Sequence, residues 1–198
     1  MTNLTNLFLR AFVALSILAA APAALAGPTY RIAVDTSKWQ GEAGFLDLTY
    51  GGLVGSATGT AVASNFTGAF DDSIEVYHDN AQSSGTYATG FTLVSGDTLA
   101  YVSQAVYFGG LFTFDLRFDA LGDGLAADFG VALAGADMAP LEDFPGFTFT
   151  LLAGQDTALP VVPVPGVDTV AVPEPSDWLL VATGLFLIGA TRRLQQRR

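Results

Sequence analysis

The chain of 198 residues contains no cysteine, a single histidine and only eight lysine and arginine residues. The absence of cysteine excludes disulfide bonds and thiolate metal ligands, so stability must come from burial of apolar surface. The sequence offers few groups for nucleophilic catalysis, because it has no Gly-x-Ser-x-Gly motif and its one histidine is His78. A Ser-His-Asp arrangement would need His78, the adjacent Asp79 and a serine that the sequence does not identify. His78 is in phase with Val76, which favours a histidine at the inner rim of a strand.

Basic residues are scarcest in the middle of the chain. Between Gly27 and Pro175, 18 acidic residues accompany only Arg31, Lys38 and Arg117, which gives a net charge of −15 against −11 for the whole chain. Such a domain repels phosphate backbones and anionic lipids, so nucleic acid is not an expected partner. The 149 residues of this stretch suffice for one domain with its own core.

The N-terminus has one charged residue, Arg10, followed by an apolar run over residues 11–21. Ala24 and Ala26 then supply the small residues of a cleavage site before Gly27. This pattern predicts a helical secretory signal peptide over residues 1–26, which signal peptidase removes.

The C-terminus has a 13-residue uncharged run from Trp178 to Ala190, followed by Arg192, Arg193, Arg197 and Arg198. As a helix this run covers roughly 20 Å, whereas the hydrocarbon core of a bilayer is about 30 Å thick. We therefore expect a short hydrophobic helix that anchors the chain in the membrane only transiently. Trp178 at one interface and the arginines on the cytoplasmic side orient it.

Together, Val172-Pro173-Glu174-Pro175, the apolar run and the arginine cluster resemble the PEP-CTERM sorting signal of Gram-negative bacteria. The resemblance covers residues 172–198. It implies that a membrane enzyme, the exosortase, recognises the tail and processes it near Pro173, Glu174 and Pro175. It also implies that the protein is anchored transiently in the inner membrane and is then located at the cell surface or in the extracellular space. The proline-rich residues 159–171 predict an extended spacer between domain and tail.

Alternation with a period of two residues dominates the central part of the chain. Phe112, Phe114, Leu116 and Phe118 alternate with polar residues, as in a half-buried antiparallel strand. Weaker alternation marks seven other segments, separated by clusters of Gly, Asp, Asn and Ser: YRIAVDT, GFLDLTY, SIEVYH, GFTLV, TLAYVSQAVYF, DFGVALA and GFTFTLL. These segments predict an all-β domain over residues 27–158, an antiparallel β-sandwich of jelly-roll type.

Short fragments of this domain resemble a recurring group of PEP-CTERM proteins whose domain has no assigned activity. The fragments are Val34–Ser37, Gly44–Asp47, Ala63–Thr67 and Phe112–Leu116. The resemblance supports the fold and the domain limits, and it implies no catalysis.

The residues of the domain offer three candidate sites, for sugar stacking, for glycoside hydrolysis and for calcium. Trp39, Tyr50, Tyr77, Tyr87 and Tyr107 are amphipathic aromatic residues on which sugars could stack. Carboxylates are numerous enough for a glycosidase pair, but their abundance does not indicate pairing.

The segment DALGDGLAAD places Asp119, Asp123 and Asp128 around two glycines and could fold around calcium. It matches an EF-hand loop only in part and lacks flanking helices, which favours a hairpin loop. No metal or other cofactor is therefore predicted.

The sequence thus predicts an exported, non-enzymatic protein of the cell surface or exopolysaccharide matrix. Its expected partners are signal peptidase, exosortase, the inner membrane and extracellular polysaccharide. The alternative is a carbohydrate-binding module delivered by the same tail.

Overall fold

Twelve strands and one short 3₁₀ helix make up the regular structure of the residues that the computed structural model describes. These residues are 29–172 except 53, 80, 97, 120–123, 145, 153–158 and 162–164. The strands are β1 (Thr29–Asp35), β2 (Ala43–Gly51), β3 (Thr60–Thr67), β4 (Tyr77–His78), β5 (Ser83–Thr86), β6 (Gly90–Val94), β7 (Ala100–Tyr107), β8 (Leu111–Phe118), β9 (Ala127–Gly135), β10 (Phe147–Leu151), β11 (Leu159–Val161) and β12 (Val167–Val172), and the 3₁₀ helix is Ser37–Trp39. Within the described part of the chain, no helix is long and apolar enough to cross a membrane.

The strands form two six-stranded sheets, called here sheet A and sheet B. The order in sheet A is β12-β1-β8-β3-β6-β5, and in sheet B it is β11-β10-β9-β2-β7-β4. Every pairing between these strands is antiparallel. The predicted all-β, antiparallel architecture is therefore confirmed.

The two sheets share one apolar core, because their alternate residues point at each other. The predicted inward residues of β8, which are Phe112, Phe114, Leu116 and Phe118, are all buried. Rings from opposite sheets are in contact: the Phe118 and Phe129 centroids lie 5.8 Å apart, and those of Tyr30 and Phe149 lie 5.6 Å apart. Aromatic pairs at such distances add to the stability that burial provides.

Most predicted strands are present with shifts of one or two residues at their ends, but SIEVYH keeps only its last two residues in β4. The chain pairs beside β7 at Ala69–Asp71 and again at Tyr77–His78. Between them, Asp71 Oδ1 accepts hydrogen bonds from the backbone N–H (2.9 Å) and the hydroxyl (2.6 Å) of Ser73. Because of this turn, residues 72–76 do not pair with the sheet edge. The apolar alternation in SIEVYH did not indicate this break in the strand.

Residues 159–171 differ from the predicted spacer, because strands at both of their ends join the sheets. β11 pairs with β10, and β12 pairs with β1 from Thr29↔Val172 to Val34↔Val167. Both are edge strands, where Pro160, which has no backbone N–H, is tolerated. The sheets therefore continue beyond the predicted domain boundary at residue 158.

A β-bulge in β3 builds a polar cluster on the outer face of sheet A. The pairing of β3 with β8 shifts between Ser64 and Thr67, and Asn65, with φ of 54°, is the extra residue. Its side-chain amide donates to Asp115 Oδ2 at 2.9 Å, and Arg31 donates to both oxygens of Asp115 at 2.8 and 2.9 Å. The paired Arg31 guanidinium holds the pKa of Asp115 below its ordinary value, with a smaller contribution from the Asn65 amide.

The lowered pKa of Asp115 should make the fold sensitive to acid. A carboxylate with a depressed pKa in the folded state stabilises the fold above its unfolded pKa of about 3.9, and that contribution is lost as the pH falls through the folded value. We expect the free energy of unfolding to decline less steeply below about pH 4 in Asp115→Asn than in the wild type. Denaturant unfolding at a series of pH values measures this difference.

The matched control is Arg31→Gln, which removes the same ion pair from the other side and should flatten the acid limb in the same sense. Acid limbs equally steep in all three proteins would contradict this role of the pair.

Candidate functional site

The edge strands β4 and β5 lie at the same side of the two sheets, and His78 joins them. Its Nε2 lies 3.1 Å from the carbonyl oxygen of Gly85, and its Nδ1 lies 3.1 Å from Ser83 Oγ. Gly85 and Ser83 belong to β5 in sheet A, whereas His78 belongs to β4 in sheet B. One histidine side chain therefore ties the two sheet edges together.

A carbonyl oxygen only accepts, so Nε2 of His78 donates to the Gly85 carbonyl. The Ser83 hydroxyl has one hydrogen, which it donates to the carbonyl oxygen of Tyr101 at 2.9 Å. The predicted partner Asp79 instead accepts a hydrogen bond from Tyr77 at 3.2 Å.

A groove of about 330 Å³ opens beside His78. Its outer wall is the unpaired segment 72–76, which contributes Asp72, Glu75 and Val76. The opposite wall comes from β5 and the turn after it, with Tyr87, and Gln104 of β7 lines the groove from within. This volume is at the small end of the roughly 300–1,000 Å³ range of ligand pockets.

Gln104 is the unusual member of this lining. It occupies the same face of β7 as the buried Val102 and Val106, and only 1% of it is exposed. Its Nε2 donates to the Ala105 carbonyl at 3.1 Å, but its Oε1 is buried and has no hydrogen-bond partner among the described residues. Three other residues in the described part of the chain have such an atom, Asp47, Tyr50 and Ser103, but none of them lines the groove.

The wall on the β5 side depends on local chain geometry. Gly85 has φ of +101°, and a Cβ there would lie 2.0 Å from the Gly90 carbonyl oxygen, so only glycine fits. The tight β5–β6 hairpin that follows carries Tyr87, whose ring stacks on Phe70 at 4.3 Å. The Tyr87 hydroxyl donates to Asp72 Oδ1 at 2.5 Å and thereby joins the two walls. Because Asp72 accepts this hydrogen, the pKa of Tyr87 is raised.

Of the five aromatic residues predicted to stack on sugars, only Tyr87 lines the groove. Tyr50 is unsuitable, because it is wholly buried in the core, and this burial raises its pKa to about 12. Tyr77 and Tyr107 are about half exposed, and Tyr107 donates to Asp71 at 2.7 Å.

Trp39 lies in a separate aromatic cluster. Its ring packs on Phe108 at 6.2 Å and Phe144 at 6.4 Å, and the Lys38 ammonium lies 5.8 Å from the ring centre. The half-buried Trp39 therefore covers one end of the core.

The predicted calcium candidates are only partly described. Asp119 lies 3.6 Å from the Arg117 guanidinium, and Asp128 accepts a hydrogen bond from Thr150 at 2.7 Å. Asp123 lies outside the described residues. Among the residues that are described, no group of three His, Cys, Asp or Glu side chains is placed to hold a metal ion.

The predicted processing residues also lie outside the described part of the chain. They are Ala24, Ala26 and Gly27 at the signal cleavage site, Pro173, Glu174 and Pro175 of the sorting motif, and Trp178, Arg192, Arg193, Arg197 and Arg198 of the membrane segment.

Sequence reasoning missed Gln104 and Ser83. For Gln104 a signal was available, because a glutamine in phase with Val102 and Val106 is a polar residue at an inward position of a strand. For Ser83 there was no signal, since its contact with His78 arises only because β5 joins sheet A while β4 belongs to sheet B.

No protein-family model matches the chain, and neither a curated protein nor a solved structure matches it significantly.

Proposed function

We propose that this is an exported, non-enzymatic protein of the cell surface or exopolysaccharide matrix, delivered through a processed PEP-CTERM tail. The observation that carries the proposal is the ordered combination, at one terminus, of Pro173-Glu174-Pro175, an apolar run and an arginine cluster. A signal peptide at the other terminus supplies the export that such a tail requires.

We further propose that the two sheets form a jelly-roll sandwich. Rolling up a long hairpin pairs the first strand with the eighth, the second with the seventh and the third with the sixth. The pairs β1–β8, β2–β7 and β3–β6 agree with this scheme. Further support comes from the ring contacts that join sheet A to sheet B.

The surroundings of the candidate catalytic groups support the non-enzymatic part of the proposal. Ser83, the serine bonded to His78, is buried, and the second ring nitrogen of His78 is bonded to a backbone carbonyl rather than to a carboxylate. The two carboxylates of the groove, Asp72 and Glu75, are exposed. A glycosidase instead encloses one carboxyl group so that it can donate a proton.

Carbohydrate binding is a second candidate function, which the groove at the β4 and β5 edges favours. The groove has an aromatic wall in Tyr87, apolar surface in Val76, and polar groups in Asp72, Glu75 and Gln104. Few, well-placed polar groups on a largely apolar wall are typical of small-ligand sites.

The delivery route is tested by the N-terminus of the exported protein. We expect intact-mass and peptide mass spectrometry of the outer-membrane and extracellular fractions to find a chain that begins at Gly27, because Ala24 and Ala26 fit the small-residue positions of signal peptidase. Recovery of the intact Met1 end from those fractions would refute the predicted signal peptide.

A further inference from the structure

Gln104, which lines the groove, carries a hydrogen-bond acceptor that is not used. Gln104 Oε1 is buried without a partner among the described residues, while Nε2 of the same amide is bonded to the Ala105 carbonyl. A buried carbonyl oxygen without a donor destabilises the fold. Such an atom on a residue that lines a pocket is an expected position for a ligand donor.

The side-chain donors around the groove are already engaged. The Tyr87 hydroxyl donates to Asp72, Nε2 of His78 donates to the Gly85 carbonyl, and the Thr86 hydroxyl lies 3.0 Å from that of Thr89. A ligand that needs to accept hydrogen bonds from these side chains would have to break existing ones.

The negative charge of the groove also favours a ligand that donates hydrogen bonds. Its lining includes the exposed carboxylates Asp72 and Glu75, and no lysine or arginine lines it in the described part of the chain. The groove therefore favours a ligand that donates hydrogen bonds and disfavours one that carries negative charge.

We propose that the groove binds one sugar unit that is uncharged or carries an amine, with a ligand hydroxyl or ammonium on Gln104 Oε1, and that it rejects uronic acids. The inference rests on the carbohydrate-binding function proposed above and assigns its site and ligand class. A volume of about 330 Å³ suits a single unit at a chain end. The ring of Tyr87 and the side chain of Val76 offer apolar surface to the C–H groups of the sugar.

The test uses the full-length protein, purified in a detergent that contains no sugar, and isothermal titration with three probes. These are oligosaccharides of glucose, of glucosamine and of galacturonic acid. The first two should bind, and the third should bind at least tenfold more weakly. Titrations at low and high salt separate specific binding from the general attraction of an acidic protein for amines.

Two variants and one control locate the site. Gln104→Leu keeps the charge and nearly the volume, removes the unpaired oxygen, and should unfold no more easily than the wild type while binding glucose oligomers three- to tenfold more weakly. Tyr87→Ala removes the aromatic wall and should weaken binding about tenfold. Thr150→Val, which removes a hydroxyl that is bonded to Asp128 outside the groove, should bind like the wild type.

Each adverse result has a distinct meaning. Wild-type affinity in Gln104→Leu would overturn the inference and leave sugar binding elsewhere on the domain. Equal affinity for galacturonic acid oligomers would overturn the proposed charge selection. If the wild type binds none of the three probes, the carbohydrate-binding function fails together with the inference, and the export proposal is unaffected.

Discussion

Phe114→Ala should lower the free energy of unfolding by about 3–5 kcal/mol, the usual cost of truncating a large aromatic residue in a core. Phe114 is only 1% exposed and lies in β8, between β1 and β3. Its ring stacks on Phe66 at 5.1 Å, with the ring planes 18° apart. Since domains are stable by about 5–15 kcal/mol, this change should remove a large part of the total.

The loss is expected to be this large because the neighbours of Phe114 cannot easily fill the cavity. Phe66 itself is held by Phe91 at 5.3 Å and by Phe70 at 6.0 Å, so its ring has little freedom to move in. A cavity that stays open adds its own cost to the lost transfer energy.

The measurement is denaturant unfolding of a chain spanning residues 27–172, which forms one compact unit. The matched control is Leu111→Ala on the same strand, where the side chain is 56% exposed and the change should cost less than about 0.5 kcal/mol. Similar losses in both variants would contradict the inward orientation of Phe114.

The parts of the fold that the sequence predicts well are the strands with a regular period. From Phe112 to Phe118, β8 alternates apolar and polar residues, and the structure buries the expected apolar side. Where apolar residues are sparse, as in Ser83–Thr86 of β5, the pattern gives no signal. That strand forms because it pairs with β6, through contacts such as Gly85↔Phe91. Pairing of this kind is tertiary information and leaves no local trace.

The C-terminal edge strands show a different limit. The segment Val167–Val172 contains three valines, but its proline-rich surroundings indicated a spacer. An extended spacer and an edge strand have nearly the same backbone conformation. Only the availability of the β1 edge distinguishes them, and a single sequence does not reveal which edge is free.

The candidate site is less predictable than the fold, since it depends on irregular geometry. The segment 72–76 was expected to continue a strand, and it forms a groove wall because Asp71 makes a turn with Ser73. The predicted position of His78 at a strand rim agrees with the structure, but its two partners lie five and seven residues further on, across the gap between the sheets. The sequence therefore indicates which side chains are available at the β4 and β5 edges, but it does not indicate how they are arranged.

Replacing Pro173, Glu174 and Pro175 by alanine should abolish C-terminal processing while leaving export and membrane insertion intact. Proline restricts the backbone to extended conformations, and a processing enzyme can bind an extended segment. The run from Trp178 to Ala190 and the arginines that follow are unchanged, so the tail should still enter the inner membrane. Because the predicted signal peptide is also unchanged, the alanine variant should accumulate there with its full C-terminus.

The measurement is membrane fractionation followed by intact mass in a host that carries an exosortase. The control replaces Arg192, Arg193, Arg197 and Arg198 by glutamine. This change removes the charges that are expected to keep this end cytoplasmic, and it should weaken insertion itself. The two variants thus separate recognition of the tail from its retention in the membrane. An alanine variant that reaches the cell surface with the same shortened C-terminus as the parent would show that the motif is not recognised. In that case the delivery route proposed here would fail, even though the apolar run and the arginines remained a working anchor.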